Sequence, residues 1–180
     1  IIITLLLMSA TFVPGIGKQI MGARRWINVM GYSFQPSELV KVAVILYLAS
    51  IFDKKEDRLD DFLNSIFPPL LVVTVFVTLI YLQNDFSTAF FIFFLALIIF
   101  FIANIKLIYF LFLASVGLPM AGILLFTKEH RVQRIIAFLD PQSDPIGAGF
   151  QINAARNALI RGGVWGSGLG EGTKKLGGLP

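Results

Sequence analysis

Residues 86–127 read FSTAFFIFFLALIIFFIANIKLIYFLFLASVGLPMAGILLFT. Two apolar blocks, Phe86–Asn104 and Leu107–Thr127, flank one charge, Lys106. Each block matches the roughly 20 apolar residues that a helix needs to cross the hydrocarbon core of a bilayer. Neither has a polar face, so a helix formed here is apolar all round and is covered by lipid or by other helices. Pro119 inside the second block predicts a kink.

The rest of the chain supports a membrane reading. Only 14% of the 180 residues are charged, against about 25% in soluble domains. Mean hydropathy is +0.79, and there are 18 phenylalanines. A soluble domain of this size could not hide that much apolar surface, whereas lipid can cover it. The absence of cysteine rules out a disulfide framework and a thiolate metal site.

Three further spans are expected. Ile1–Val13 reads as the end of one, Leu39–Phe52 as another, and Phe62–Gln83 as a third. Pro68 and Pro69 fall in the first turns of that third span, where proline is tolerated. Residues 1–13 lack the basic n-region and cleavage site of a signal peptide. The Ile-Ile-Ile start and Gly-Gly-Leu-Pro end read as those of an internal piece of a longer protein. The expected class is all-α and polytopic, with spans and short loops over 1–127 and a large loop over 128–180. Alternation places 14–36, the Asn84-Asp85 turn and 128–180 on one side, and 53–61 with Lys106 on the other. Lys54, Lys55, Arg58 and Lys106 against Lys18, Arg24 and Arg25 are too evenly split to orient the chain.

Polar residues at membrane depth are costly and mark candidate sites. Glu38 and Lys41 are three apart, on one helical face, either as a structural ion pair or lining a polar cavity. Ser37 is the expected N-cap of that helix. Asp85 caps the helix that follows it, and a carboxylate so close to the membrane is also a functional candidate. Arg24-Arg25-Trp26 reads as an interfacial anchor or as a phosphate-binding pair. His130 reads as an ordinary loop histidine.

The tail is basic and rich in glycine. Its run Gly162–Gly172 fits no nucleotide-loop register. Gln151–Ile160 predicts a short amphipathic helix with Ile152, Ala155 and Leu159 on one face. Arg131, Arg134, Arg156 and Arg161 add positive charge beside the membrane, which suits an anionic lipid-linked substrate or, less specifically, anionic headgroups. No soluble fold accompanies the patch, which argues against nucleic acid.

Several stretches carry a family resemblance. GARRWINVMGYSFQPSELVKVAVILYLA (22–49), LQNDFSTA (82–89), RIIAFLDPQSDPIGAGFQ (134–151) and GGVWGSGLG (162–170) occur in order. Together they resemble the SEDS family of bacterial cell-wall polymerases, the FtsW, RodA and SpoVE group. The Gly-Leu-Gly ending is more similar to the FtsW and SpoVE branch, FtsW above all, than to RodA.

The resemblance implies about ten transmembrane helices in the whole protein, of which this chain would carry about five. It implies a multi-pass protein of the bacterial inner membrane, with residues 14–36, Asp85 and 128–180 outward. The implied activity is polymerisation of lipid II into glycan strands, in division or cell-shape maintenance, beside a class B penicillin-binding protein. No cofactor is identifiable; a divalent metal belongs to the family's chemistry, but no ligand cluster places one. The implied catalytic base is an aspartate just beyond Leu179-Pro180, so these residues alone are expected to be inactive. By motif, Arg25, Trp26, Gln35, Pro36, Ser37, Glu38, Lys41, Asp85 and Gln151 are cavity or loop determinants. Arg24 and the tail arginines, Arg131 and Arg134 among them, are candidates for the pyrophosphate. Asn84 and Ser87 stand where the family has proline and glycine, and Ala154-Ala155 where it commonly has Gln-Ser. The rival readings are a lipid II flippase and a non-catalytic scaffold of the division machinery.

Overall fold

The computed structural model describes residues 1–20, 23–29, 32–147, 149–168 and 171–172. Gly22, the Leu169-Gly170 end of the last motif, Lys174, Lys175 and Leu179-Pro180 lie outside the described residues. The chain forms two compact units, residues 1–121 and 122–180.

The first unit begins with α1 (Ile2–Ala10), and after a three-stranded sheet come α2 (Pro36–Lys54), α3 (Phe67–Leu82), α4 (Phe86–Ile102) and α5 (Leu107–Phe126), whose last turn enters the second unit. A five-residue π turn, Phe62–Ile66, leads into α3. Phe67 starts α3, with the two prolines in its first turn, where no intrahelical N–H is lost. Residues 62–82 and 107–126 are long and apolar enough to cross a membrane, and Phe86–Ile102 is apolar but shorter.

The core follows helical spacing. Val40, Val44, Leu48 and Phe52 recur every fourth residue along α2 and are buried. They meet Val73, Phe76 and Ile80 of α3 and Ile92, Ala96 and Phe100 of α4 in one cluster. Phe52 and Phe100 close its lower end edge to face, with centroids 5.0 Å apart. The small Ala89 and Ala96 on the inner face of α4 let the neighbouring helices approach. On its outer face Phe86, Phe90 and Phe94 form a ladder at i, i+4 spacing, with 6.2 Å between successive rings.

Residues 14–36, expected as a loop, contain an antiparallel meander, which corrects the all-α expectation. Its strands are β1 (Gly17–Ile20), β2 (Ala23–Val29) and β3 (Tyr32–Phe34), in the order β1-β2-β3. β2 packs against α2. Ala23 and Ile27 of β2 are buried, so the sheet has an inner face toward the bundle.

The second unit holds the last turn of α5, α6 (Glu129–Leu139) and α7 (Phe150–Gly162). α7 contains the helix expected over 151–160. α6 was expected as loop, so His130 is helical, as are Arg131 and Arg134. Val132, Ile135, Ile136 and Leu139 recur at helical spacing along α6, a local signal that the loop expectation passed over, although Lys128 offers no side-chain cap.

Candidate functional site

The turn between α3 and α4 is built from two helix ends placed back to back. Asp85 N–H donates to Ile80 O (3.3 Å) and Asn84 N–H to Tyr81 O (3.0 Å), the two bonds of a Schellman cap on α3. Asn84 is its left-handed residue, at φ 61°, a conformation asparagine tolerates and proline cannot adopt. Asp85 then serves as N-cap of α4, Oδ1 accepting from Thr88 N–H at 3.2 Å.

The other carboxylate oxygen of Asp85 faces the meander and the start of α2. Arg25 Nη1 lies 3.1 Å from Asp85 Oδ2, and the two side chains are 32% and 6% exposed. Gln35 Nε2 donates to the same oxygen at 3.2 Å and to Ser37 Oγ at 2.8 Å. Gln35 is the N-cap residue of α2 and Pro36 its first residue. Ser37 is therefore not the cap, as expected from the sequence, because proline begins the helix one residue earlier. Its buried hydroxyl instead accepts from Gln35.

Arg25 is the bulge residue of β2. The register steps from Lys18 opposite Trp26 to Gln19 opposite Arg24, which leaves Arg25 without a partner across the strand pair. A bulge adds local twist and re-aims a side chain. Here the side chain leaves the sheet toward two helix N-termini, those of α2 and α4, whose dipoles are positive. Arg25 Nε is buried and has no hydrogen-bond partner among the described residues.

Three donors, from Arg25, Gln35 and Thr88, thus hold the Asp85 carboxylate. It is placed to orient the guanidinium. The Arg25 side chain is 32% exposed, so part of its fork can still be reached by an acceptor oxygen.

Glu38 and Lys41 pair with each other at 2.8 Å, not with Asp85. Lys41 Nζ also lies 5.7 Å from the Phe91 ring centroid. Arg24 is exposed and Trp26 half-buried on β2.

A second buried polar contact, which the sequence reading did not single out, lies at the ends of α1 and α3. Gln83 Nε2 donates to Thr11 Oγ1 at 2.7 Å, and Thr11 Oγ1 to Met8 O at 2.7 Å. Gln83 lies in the LQNDFSTA stretch, but nothing local marks Thr11 as its partner.

The remaining candidates belong to the second unit. Arg131 is buried, and its Nη1 donates to Leu124 O at 2.6 Å, satisfying a carbonyl at the end of α5. Arg134, Gln151, Arg156 and Arg161 are exposed. No three His, Cys, Asp or Glu side chains come together to hold a metal ion among the described residues.

The sequence model of the FTSW_RODA_SPOVE family, described as "Cell cycle protein", matches residues 1–180. The chain belongs to the FtsW/RodA/SpoVE family. A "Probable peptidoglycan glycosyltransferase FtsW" of Geobacter sp. (strain M18) is 45% identical over 177 residues, covering 98% of this chain and 48% of the relative. One of the same name from Borreliella burgdorferi is 42% identical over 180 residues, covering 100% and 49%. A solved chain from work described as "Structural coordination of polymerization and crosslinking by a peptidoglycan synthase complex" superposes with a TM-score of 0.58 at 29% identity, over 87% of this chain and 46% of that one. This FtsW/RodA/SpoVE chain spans about half the length of the curated relatives it matches.

Proposed function

We propose that this chain is the substrate-holding part of a peptidoglycan glycosyltransferase that polymerises lipid II into glycan strands during bacterial cell division. Family membership over residues 1–180 and relatives named for that activity support the reaction class. The observation that carries the site is the buried Asp85 carboxylate fixing Arg25 between two helix N-termini.

Glycosyl transfer from a lipid pyrophosphate needs a base to take the acceptor hydroxyl's proton. It also needs fixed positive charge where the pyrophosphate departs. Arg25 supplies the second, since a guanidinium fork matches phosphate oxygens. Arg24 adds exposed charge on the same strand. Asp85 and Gln35 position Arg25, and the base belongs to another part of the longer protein.

In this reading the helices of the first unit are membrane spans of a multi-pass inner-membrane protein. The meander, the Asp85 turn and the second unit face outward. Exposed Leu46, Phe101, Phe112 and Ile123 are then lipid-facing. A class B penicillin-binding protein is the proposed partner, crosslinking the strands made here.

The test is the full-length protein purified with that partner and given labelled lipid II in detergent. A ladder of glycan chains that is lost in Asp85→Ala supports the reading. Movement of lipid II across liposome bilayers without a ladder turns it to a flippase. Complex assembly with neither activity turns it to a scaffold.

A further inference from the structure

The second unit carries an open groove of about 490 Å³ along α7, within the size range of ligand sites. One wall holds Gln142 and Pro145, from a turn that is braced by its own polar groups. Asp140 Oδ1 accepts from Gln142 N–H at 3.2 Å, and Ser143 Oγ donates to Asp140 O at 2.8 Å. Asp144 Oδ1 accepts from Gly147 N–H at 2.9 Å. Asn153 Nδ2 of α7 donates to Pro141 O at 3.0 Å and ties the wall to the helix. Gly149 lets the two meet, because a Cβ there would collide with the carbonyl oxygens of Pro141 and Asp144. The groove is thus pre-formed, not a gap between loose segments.

Its lining has a particular chemistry. Gln142, Asn153 and Asn157 present side-chain amides, Arg156 a guanidinium, and Phe150 and Ile160 apolar surface. No carboxylate lines it among the described residues, which argues against a cation or a basic peptide. Gln142, Arg156 and Asn157 have no side-chain hydrogen bond or ion pair among the described residues. Side-chain amides both donate and accept, so they match hydroxyl and acetamido groups, which also do both. Phe150 and Ile160 can cover the apolar C–H face of a pyranose.

We propose that this groove binds an N-acetylated oligosaccharide, the glycan strand that the polymerase extends. The strand's identity rests on the polymerase reading above, while saccharide binding by the groove is measurable without it.

The test titrates a soluble oligomer of N-acetylglucosamine into the full-length protein in detergent, followed by saturation-transfer NMR. Asn157→Ala and Phe150→Ala are each expected to weaken binding about tenfold, the effect of losing one good contact. Leu159→Ala, exposed on α7 outside the groove, is expected to bind as the unaltered protein does. Asn157 is exposed, so its variant tests the groove even if Phe150→Ala folds poorly. In the polymerisation assay, Asn157→Ala is expected to give shorter chains. Absence of binding in the unaltered protein, or binding by both groove variants as tight as that of the unaltered protein, overturns the proposal whether or not a ladder forms. Binding that depends on Asn157, in a protein that makes no ladder, keeps the saccharide groove and overturns the polymerase reading.

Discussion

Arg25 reaches Asp85 at 3.1 Å from the bulge of β2, where the register with β1 skips one residue. The two residues are far apart in sequence, and each is special in its own element. Asp85 ends one helix cap and begins another, and Arg25 is the extra residue of a bulge. Their pairing fastens the meander to the α3–α4 turn, and it places a half-buried guanidinium at the end of the bundle.

That pairing separates charge from shape. Asp85→Asn keeps an oxygen to accept from Thr88 N–H and nearly the same volume, but leaves Arg25 without its counter-charge. Polymerisation by the full-length protein is expected to fall at least about tenfold, equivalent to about 1.4 kcal/mol, with the protein still folded. Asp85→Ala also removes the cap and is expected to lower stability by about a further 1 kcal/mol. Arg25→Lys is expected not to rescue, because an ammonium lacks the planar fork. Glycan ladders and thermal melts, read side by side, check all three. Full activity in Asp85→Asn would make the pair a fastening only.

Gln83 is 2% exposed and joins α1 to α3 through Thr11. Gln83→Ala opens a hole and leaves the Thr11 hydroxyl without its donor. A loss of about 2 kcal/mol is expected, seen as a lower melting temperature. Gln83→Leu refills the volume without the hydrogen bond, so its loss should be smaller. Equal melting of all three proteins would mean that the contact does not hold α1.

Helices α2 to α5 were legible because each is a long apolar run bounded by charge or by Asn, and α4 and α5 start where the sequence places them. The Glu38–Lys41 pair was legible because i, i+3 spacing is local. The meander was not. Its strands are short, and the bulge at Arg25 breaks the alternation that marks a strand. The partners of Asp85 were not legible either, since Arg25 and Gln35 reach it only through the packing of β2 and α2. Arg131 reads as a surface cation in the sequence, yet folding turns it back onto Leu124 O, a choice made by the end of α5 and not by its own neighbours.

Asp61 gives a pH prediction outside the spans. Asn64 donates to it twice, from its side chain at 2.7 Å and from its backbone at 3.2 Å. The Asn64 side chain, first, and its backbone N–H hold the Asp61 carboxyl below its ordinary value. A carboxyl lowered by folding contributes stability above its unfolded pKa and loses it as pH falls through the folded one. Asn64→Ala is expected to move the Asp61 titration back up toward the ordinary carboxylate value, read by NMR. An unmoved titration would refute the capping contact.

Gly117 tests how α5 meets α4. Leu113 is the buried residue of α5 among those described, and Gly117 lies one turn further on. The end of the Phe93 ring occupies the place where a Cβ of residue 117 would stand. Alanine in a helix gains up to about 1 kcal/mol over glycine, while overpacking costs about 1–3 kcal/mol. Packing should win, because the ring is partly buried against the core cluster. Gly117→Ala is therefore expected to lower stability by about 1 kcal/mol. Phe93→Leu, itself destabilising, is expected to make the alanine neutral or favourable, since the obstructing ring end is gone. Thermal melts of the two single variants and the double variant give the coupling directly. Additive effects would mean that Gly117 and Phe93 do not touch.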